Sequence, residues 1–194
     1  MEIFIATANE HKVYEFKKML EPLGYSVKSM LDLEEEVEID ETGTTFEENS
    51  IIKASTMAKL LHIPCIADDS GLEVDALGKK PGIESARFMG HDTSYDIKNR
   101  AIMDMVKDAE DRTCRFVSAI ALCEEGKEPK TFVGTVEGSV AYEIVGAKGF
   151  GYDPIFYYEP YGTTLANVSD EMKNAVSHRG KALRLLVEYL NENR

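Results

Sequence analysis

The chain has 194 residues, of which 43% are hydrophobic, and 22 basic residues against 35 acidic ones give a formal net charge of -13 at pH 7. This length suffices for one well-packed core, so we expect a single domain over residues 1–194. A strongly acidic chain would repel a nucleic acid polymer, although a small phosphorylated ligand needs only a few local cations. With no run of roughly 18 apolar residues and no signal-peptide pattern, we expect a cytoplasmic protein without a membrane partner.

The first part of the chain alternates between strand and helix patterns. Apolar residues at helical spacing predict one helix that starts after Asn9 and another that Thr45 caps and that ends before Pro64. Residues 68–71, which are Asp-Asp-Ser-Gly, are expected to form a turn. Strands are predicted at 3–8, 25–30, 64–67 and 72–77.

The second part of the chain is predicted to be mostly antiparallel. A helical pattern covers 93–109, a glycine-rich segment occupies 149–154, and two C-terminal helices separate near 177–180. Strands are predicted at 115–123, 130–140 and 155–158, the first two as a hairpin. Because early strands alternate with helices and a long hairpin follows, we predict an α/β fold with a mixed central sheet and flanking helices.

Two groups of polar residues in the first half have the chemistry for binding phosphate. Thr7, Asn9 and Lys12 lie where the first strand gives way to the first helix, and a helix N-terminus beside a hydroxyl and an ammonium group suits an anion. An ordinary N-cap at Asn9 with a solvated Lys12 fits the same pattern. Asn49 and Lys53 share a polar face of the second helix, where the lysine could reach a phosphate or pair with Asn49.

Neighbouring carboxylates indicate a metal site. Asp68 and Asp69 follow an apolar run, with Asp40 and Glu41 upstream. Acids that share a cavity repel one another and lose hydration, and a hard divalent cation with oxygen ligands removes that penalty, so we expect Mg²⁺. Because successive strand side chains point to opposite faces, one acid should face the site and the other should brace the turn. We assign the site to Asp69, although a plain polar turn also fits this segment.

The segment 149–154 could hold a flat ring such as a purine. Glycines on either side of Phe150 allow close backbone approach and leave the ring free to stack. Asp153 could accept a hydrogen bond from a base or a ribose, and His178 and Arg179, expected between two helices, offer donors for a base carbonyl. A core position for the aromatic residues, with His178 capping a helix end, would give the same pattern.

Six motifs in this order make the chain resemble the Ham1-like inosine/xanthosine triphosphate pyrophosphatases, which remove non-standard purine nucleotides. The motifs lie at 7–12, 41–49, 67–72, 81–87, 149–154 and 177–180, so the resemblance runs essentially the whole chain. It implies two lobes around a nucleotide-binding cleft, a homodimer, and Mg²⁺-dependent hydrolysis of the α–β phosphoanhydride to a nucleoside monophosphate and pyrophosphate.

The resemblance also implies roles for individual residues. Asp69 would be the general base and a metal ligand, Asp40 or Glu41 would complete the metal site, and Ser70 would contact the substrate nearby. Asn49 stays a candidate substrate contact on the helix of Lys53. The triphosphate would be bound by Thr7, Ala8, Asn9, Glu10, His11, Lys12 and Lys53. The base would be surrounded by Phe150, Gly151, Tyr152, Asp153, Lys173, His178 and Arg179.

These roles predict hydrolysis of ITP, dITP, XTP and dXTP. Asp69 would deprotonate a water, a metal would neutralise the phosphates, and lysines would stabilise the leaving pyrophosphate. A 6-keto purine accepts from donors such as His178, whereas the amino group of adenine leaves those donors unmatched. Two alternatives stay open: a nucleotide sensor without hydrolysis, against which the acids near Asp69 argue, and a pyrophosphatase for another base.

Overall fold

The computed structural model describes residues 1–193. The strands are β1 (Glu2–Ile5), β2 (Ser26–Ser29), β3 (Cys65–Val74), β4 (Lys80–Pro81), β5 (Thr113–Cys123), β6 (Lys130–Val140), β7 (Phe156–Tyr158) and β8 (Thr163–Thr164). The α-helices are α1 (Glu10–Leu20), α2 (Phe46–Leu61), α3 (Tyr95–Met105), α4 (Asp170–Val176) and α5 (His178–Glu192). Within this described range, none of the helices combines the length and the apolar character needed to cross a membrane.

The strands form one mixed sheet in the order β2-β1-β3-β5-β6-β7-β8, and β4 pairs with β3. β1 pairs in parallel with both β2 and β3. The pairs β6–β7 and β7–β8 are antiparallel. Parallel strands early in the chain and antiparallel strands later confirm the predicted α/β fold with a mixed sheet.

The chain divides into two compact units. Unit 1 contains 1–69, 118–134 and the segment from Arg179 onward, and unit 2 contains 70–117 and 135–178. β3, β5 and β6 each begin in one unit and end in the other, so neither unit is a continuous stretch of chain. The single domain over 1–194 stays a prediction, and residue 194 lies outside the described range.

Alternation along the strands of unit 1 builds two apolar clusters on opposite faces of the sheet. Ile5 and Ile66 belong to the cluster that includes residues of α1 and α5. Ala6 and Ala67 belong to the cluster that includes residues of α2. The next two residues of β3 are therefore directed to different helices, Asp68 toward α1 and α5 and Asp69 toward α2.

Three sequence expectations about secondary structure are wrong. Residues 68–71 form the middle of β3 rather than a turn, because Lys12 and Arg179 contact the buried Asp68 carboxylate and Lys53 lies near Asp69. That strand ends at Val74, and Asp75–Leu77 is a 3-10 turn. His178 and Arg179 lie in the first turn of α5 rather than between helices, because the chain already breaks at Ser177, the C-cap of α4.

Candidate active site

Asp68 is the centre of a buried charge network in unit 1. Its carboxylate lies 3.0 Å from Lys12 Nζ and 3.1 Å from Arg179 Nη2, and it accepts a hydrogen bond from the Ser118 hydroxyl. Arg179 also pairs with the buried Glu15 of α1. Burial alone would raise the pKa of Asp68, but the nearby Arg179 and Lys12 outweigh it and hold the pKa well below its usual range. Asp68 is thus a permanent anion that orders its neighbours.

Asp69 is in a different electrostatic position. Its side chain is 10% exposed, and Oδ1 lies 3.8 Å from Lys53 Nζ. Its Oδ2 is buried and has no hydrogen-bond partner within residues 1–193. Burial raises the pKa of Asp69 to about 6, against the lowering effect of Lys53 and Lys12 and with help from Glu41 and Asp68. A carboxylate with this pKa can accept a proton near neutral pH.

Lys53 of α2 connects Asp69 to the acidic segment upstream. Its ammonium group donates to the Asp68 carbonyl at 2.7 Å and lies 2.7 Å from Glu41 Oε1. Asp40 is exposed and forms none of the ion pairs found in residues 1–193. Of the two upstream acids, Glu41 is therefore the one placed beside the cation that faces Asp69.

The other predicted site residue of α2, Asn49, supports this arrangement indirectly. Asn49 is buried, and its Oδ1 accepts a hydrogen bond from the Gly43 backbone at 2.8 Å rather than engaging Lys53. A Cβ at Gly43 would come within 2.6 Å of Asn49 Oδ1, so the close approach requires glycine. Asn49 thus fixes the segment that carries Glu41.

The start of α1 is capped from within. Thr7 Oγ1 accepts from the Asn9 backbone at 3.1 Å, and Asn9 Oδ1 accepts from the Lys12 backbone at the same distance. Asn9 is therefore the N-cap of α1, and the Lys12 side chain turns to Asp68. The residues exposed around this helix start are Ala8, Asn9, Glu10 and His11. Exposed backbone at a helix N-terminus retains the capacity to bind an anion.

In unit 2, Asp153 organises the glycine-rich segment. Its Oδ2 accepts from the Phe150 backbone at 3.0 Å and from Lys173 Nζ at 2.6 Å. The same ammonium group lies 4.9 Å from the centroid of the half-buried Phe150 ring. A Cβ at Gly149, whose φ is +67°, would come within 2.3 Å of the Asp153 carboxylate. The segment therefore places an aromatic face, a cation and a carboxylate together.

Three residues expected around the base make contacts that the sequence did not predict. The Tyr152 side chain is buried in the core of unit 2, where its hydroxyl donates to the Ser85 carbonyl at 2.6 Å. Arg179 is 1% exposed and engages Glu15 and Asp68 of unit 1, while His178 stacks on Phe116 of unit 2. Consecutive helical residues point about 100° apart, so the side chains of His178 and Arg179 have different neighbours.

Three residues of these networks were missed by the sequence analysis. Ser118 is a polar residue inside the apolar run of β5, a signal that could have been used. Glu15 of α1 and Asn99 of α3, whose Nδ2 donates to the Gly151 carbonyl, give no such signal, because an isolated acid or amide in an amphipathic helix usually faces solvent. Ser70, expected to contact substrate, is half-buried and follows Asp69 directly in β3.

Comparison with known proteins identifies the family. The sequence profile of the Ham1 family matches residues 3–189. The chain belongs to this family. It is 48% identical over 193 residues to the dITP/XTP pyrophosphatase of Bacillus licheniformis, covering 98% of each chain, and 46% identical over 191 residues to that of Bacillus subtilis strain 168, covering 97% and 96%. The solved structure of the Staphylococcus aureus Ham1 protein is 40% identical, with a TM-score of 0.89 over 100% of both chains. The resemblance stated from the motifs is confirmed.

Proposed function

We propose that the chain is a nucleoside triphosphate pyrophosphatase that hydrolyses the non-standard purine nucleotides dITP, ITP, XTP and dXTP to the monophosphate and pyrophosphate. One observation carries the proposal. Asp69 combines a pKa of about 6 with a buried, unpartnered oxygen, and it lies beside a lysine that also binds Glu41. A base that can exchange a proton near neutral pH, together with cations for phosphate, suits hydrolysis of a phosphoanhydride. The names of the Bacillus relatives support the substrate class.

The acids of unit 1 suit a magnesium ion that enters with the substrate. No group of three or more His, Cys, Asp or Glu side chains within residues 1–193 is arranged to hold a metal alone. Mg²⁺ is usually bound by one or two carboxylates together with substrate phosphates, so Glu41 and Asp69 would be its protein ligands. The unpartnered Oδ2 of Asp69 fits this role. When bound, Mg²⁺ would neutralise charge that develops on the phosphate oxygens.

The chemical step follows from the positions of the charges. Asp69 accepts a proton from water as the water oxygen bonds to the α-phosphorus, and the bond from that phosphorus to the bridging oxygen breaks. Lys53 and Lys12 then stabilise the negative charge on the leaving pyrophosphate. Both lysines contact carboxylates in the unbound protein, at 2.7 Å and 3.0 Å, so phosphate would exchange with those contacts. The anion-binding helix start from Thr7 to Lys12 would hold the rest of the triphosphate.

Residues of unit 2 would select the base. Phe150 would stack on the purine, and the Lys173 ammonium group beside the ring would donate to a 6-keto oxygen. Asp153 would accept from an N–H of the base, which hypoxanthine carries at position 1 and adenine lacks. A mismatched donor or acceptor that is buried costs about 1–3 kcal/mol, enough for a preference of roughly ten- to a hundredfold.

A product assay tests the proposal. The protein is incubated with ITP, XTP, GTP, ATP and dTTP, with and without Mg²⁺, and pyrophosphate and orthophosphate are measured separately. We expect pyrophosphate from ITP and XTP, only with Mg²⁺. Orthophosphate as the first product would place cleavage at the wrong anhydride, no product would favour a nucleotide sensor, and pyrophosphate mainly from dTTP would indicate another base preference.

We also propose that the protein forms a homodimer, as its resemblance to the family implies. Light scattering coupled to gel filtration tests this. A mass of twice that of the chain is the expected result, and a mass equal to one chain would contradict it.

A further inference from the structure

The inner face of α3 carries a buried amide that stability does not explain. Asn99 is 2% exposed, and its Nδ2 donates to the Gly151 carbonyl with an N–O distance of 3.1 Å. Its Oδ1 is buried and has no hydrogen-bond partner in the described part of the chain. A buried acceptor without a partner costs free energy, and an apolar residue of the same size would not incur that cost. The amide therefore has a use other than holding the fold together.

Its partner lies beside the aromatic ring that would stack on the base. Gly149 and Gly151 flank Phe150 and have φ values of +67° and +64°. Glycine in this region of backbone space allows the turn, but it also adds freedom to the chain on both sides of the ring. Two hydrogen bonds restrain the backbone on either side of Phe150 along the chain. The Phe150 N–H donates to Asp153, and the carbonyl of the next residue, Gly151, accepts from Asn99.

We infer that Asn99 is a positioning residue that fixes the backbone after Phe150 and so holds the ring where it binds the purine. The inference rests on the proposed function, in which Phe150 stacks on the base. Asn99 acts through Gly151 and does not itself contact the substrate.

Other contacts of α3 do not replace this hydrogen bond. The Tyr95 ring packs edge-on against Tyr152, with centroids 5.2 Å apart. Tyr152 itself is held through its hydroxyl to the Ser85 carbonyl. These contacts fix side chains next to the turn, whereas among the hydrogen bonds found in residues 1–193 the one from Asn99 fixes the Gly151 carbonyl that follows the Phe150 ring.

The substitution Asn99→Leu separates positioning from structure. Leucine has a similar volume and removes both the donor and the unpartnered acceptor, but it also leaves the half-buried Gly151 carbonyl without this donor. Because the two effects oppose one another, the melting temperature should change by only a few degrees, about the effect of 1 kcal/mol. The KM for ITP should rise roughly tenfold, the scale of one lost hydrogen bond, while kcat stays within about twofold, because base binding is weakened rather than chemistry. Asn191→Leu, an exposed position on α5, is the matched control and should change neither constant.

A second measurement follows the ring directly. The chain contains no tryptophan, so Phe150→Trp introduces a single fluorescent reporter at the ring position. Adding Asn99→Leu to this variant should increase quenching of the tryptophan by acrylamide, because the backbone beside it is no longer fixed.

The outcomes distinguish the inference from the proposed function. An unchanged KM for ITP in Asn99→Leu would overturn the inference. Unchanged quenching of the tryptophan would also overturn it, because a rise in KM that comes with a fall in melting temperature would then reflect general destabilisation. If the parent protein releases no pyrophosphate from ITP, the proposed function fails instead, and the quenching comparison still tests whether Asn99 holds the segment.

Discussion

Asp69 Oδ1 lies 3.8 Å from Lys53 Nζ, yet the pKa of Asp69 is raised to about 6 because burial outweighs the attraction of that cation. Asp68, the preceding residue, is more deeply buried, but Arg179 and Lys12 hold its pKa well below the usual range. Two adjacent carboxylates on opposite faces of one strand therefore differ in basicity. Of the two acids, only Asp69 can exchange a proton near neutral pH, which supports the proposal that Asp69 is the general base and that Asp68 has a structural role.

The substitution Asp69→Asn should lower kcat for ITP by about 10²- to 10⁴-fold, the usual contribution of a general base, and leave nucleotide binding largely intact. Because burial opposes ionisation of Asp69, the variant should also be more stable than the parent at pH 7, by up to about 3 kcal/mol. Pyrophosphate release, calorimetric binding of ITP and urea denaturation measure the three effects. Asp92→Asn, at an exposed acid, is the control. Near-normal turnover by Asp69→Asn would remove this residue from the mechanism.

The pH dependence of the parent enzyme should reflect ionisation of Asp69. Its protonated form cannot accept a proton from water, so kcat/KM should rise tenfold per pH unit below about pH 6 and level off above it. Stability should change in the opposite direction. Since the folded pKa lies above the usual value of 3.8, the stabilising contribution of the protonated group is lost as the pH rises from about 4 to about 6. A flat rate profile between about pH 5 and pH 7 would contradict this assignment.

Removing the cation at Lys53 should move that profile. Lys53 lowers the pKa of Asp69, so Lys53→Met should raise the pKa and shift the midpoint of kcat/KM upward by about one unit or more. The plateau value of kcat/KM should also fall, because the variant lacks the Lys53 ammonium group that would stabilise the leaving pyrophosphate. Lys59→Met, at an exposed position on the same helix, is the matched control. A midpoint that does not move would show that Lys53 does not act on the base.

Much of the architecture follows from periodicity in the sequence. The two strands predicted at 115–123 and 130–140 form as Thr113–Cys123 and Lys130–Val140 and are neighbours in the sheet, because each has its own apolar pattern and turn residues separate them. The two-residue strands β4 and β8 were not predicted, since two residues cannot display a period of two.

The local pattern misleads where distant residues supply the partners. An Asp-Asp-Ser-Gly sequence is typical of a turn, and it forms a strand here because Asp68 meets Arg179, 111 residues later in the chain. Glu15 pairs with the same arginine across 164 residues. Which acid pairs with which cation depends on the packing of α1, β3 and α5, and no spacing in the sequence contains that information.

The buried pair between Glu15 and Arg179 should be coupled in its effect on stability. Arg179→Met removes the guanidinium that contacts the buried Glu15, and removing one partner of a buried ion pair costs about 3–5 kcal/mol. Adding Glu15→Gln removes the charge that lost its contact with Arg179, so the double variant should recover part of that loss when unfolding in urea is measured at pH 7. Arg184→Met, at an exposed position on the same helix, should change stability by less than about 0.5 kcal/mol. If the losses in free energy of unfolding of Arg179→Met and of Glu15→Gln, each measured alone, simply add in the double variant, the coupling is contradicted. Asp68 keeps Lys12 and Ser118 in both variants, so the recovery reports on Glu15 rather than on the centre of the network.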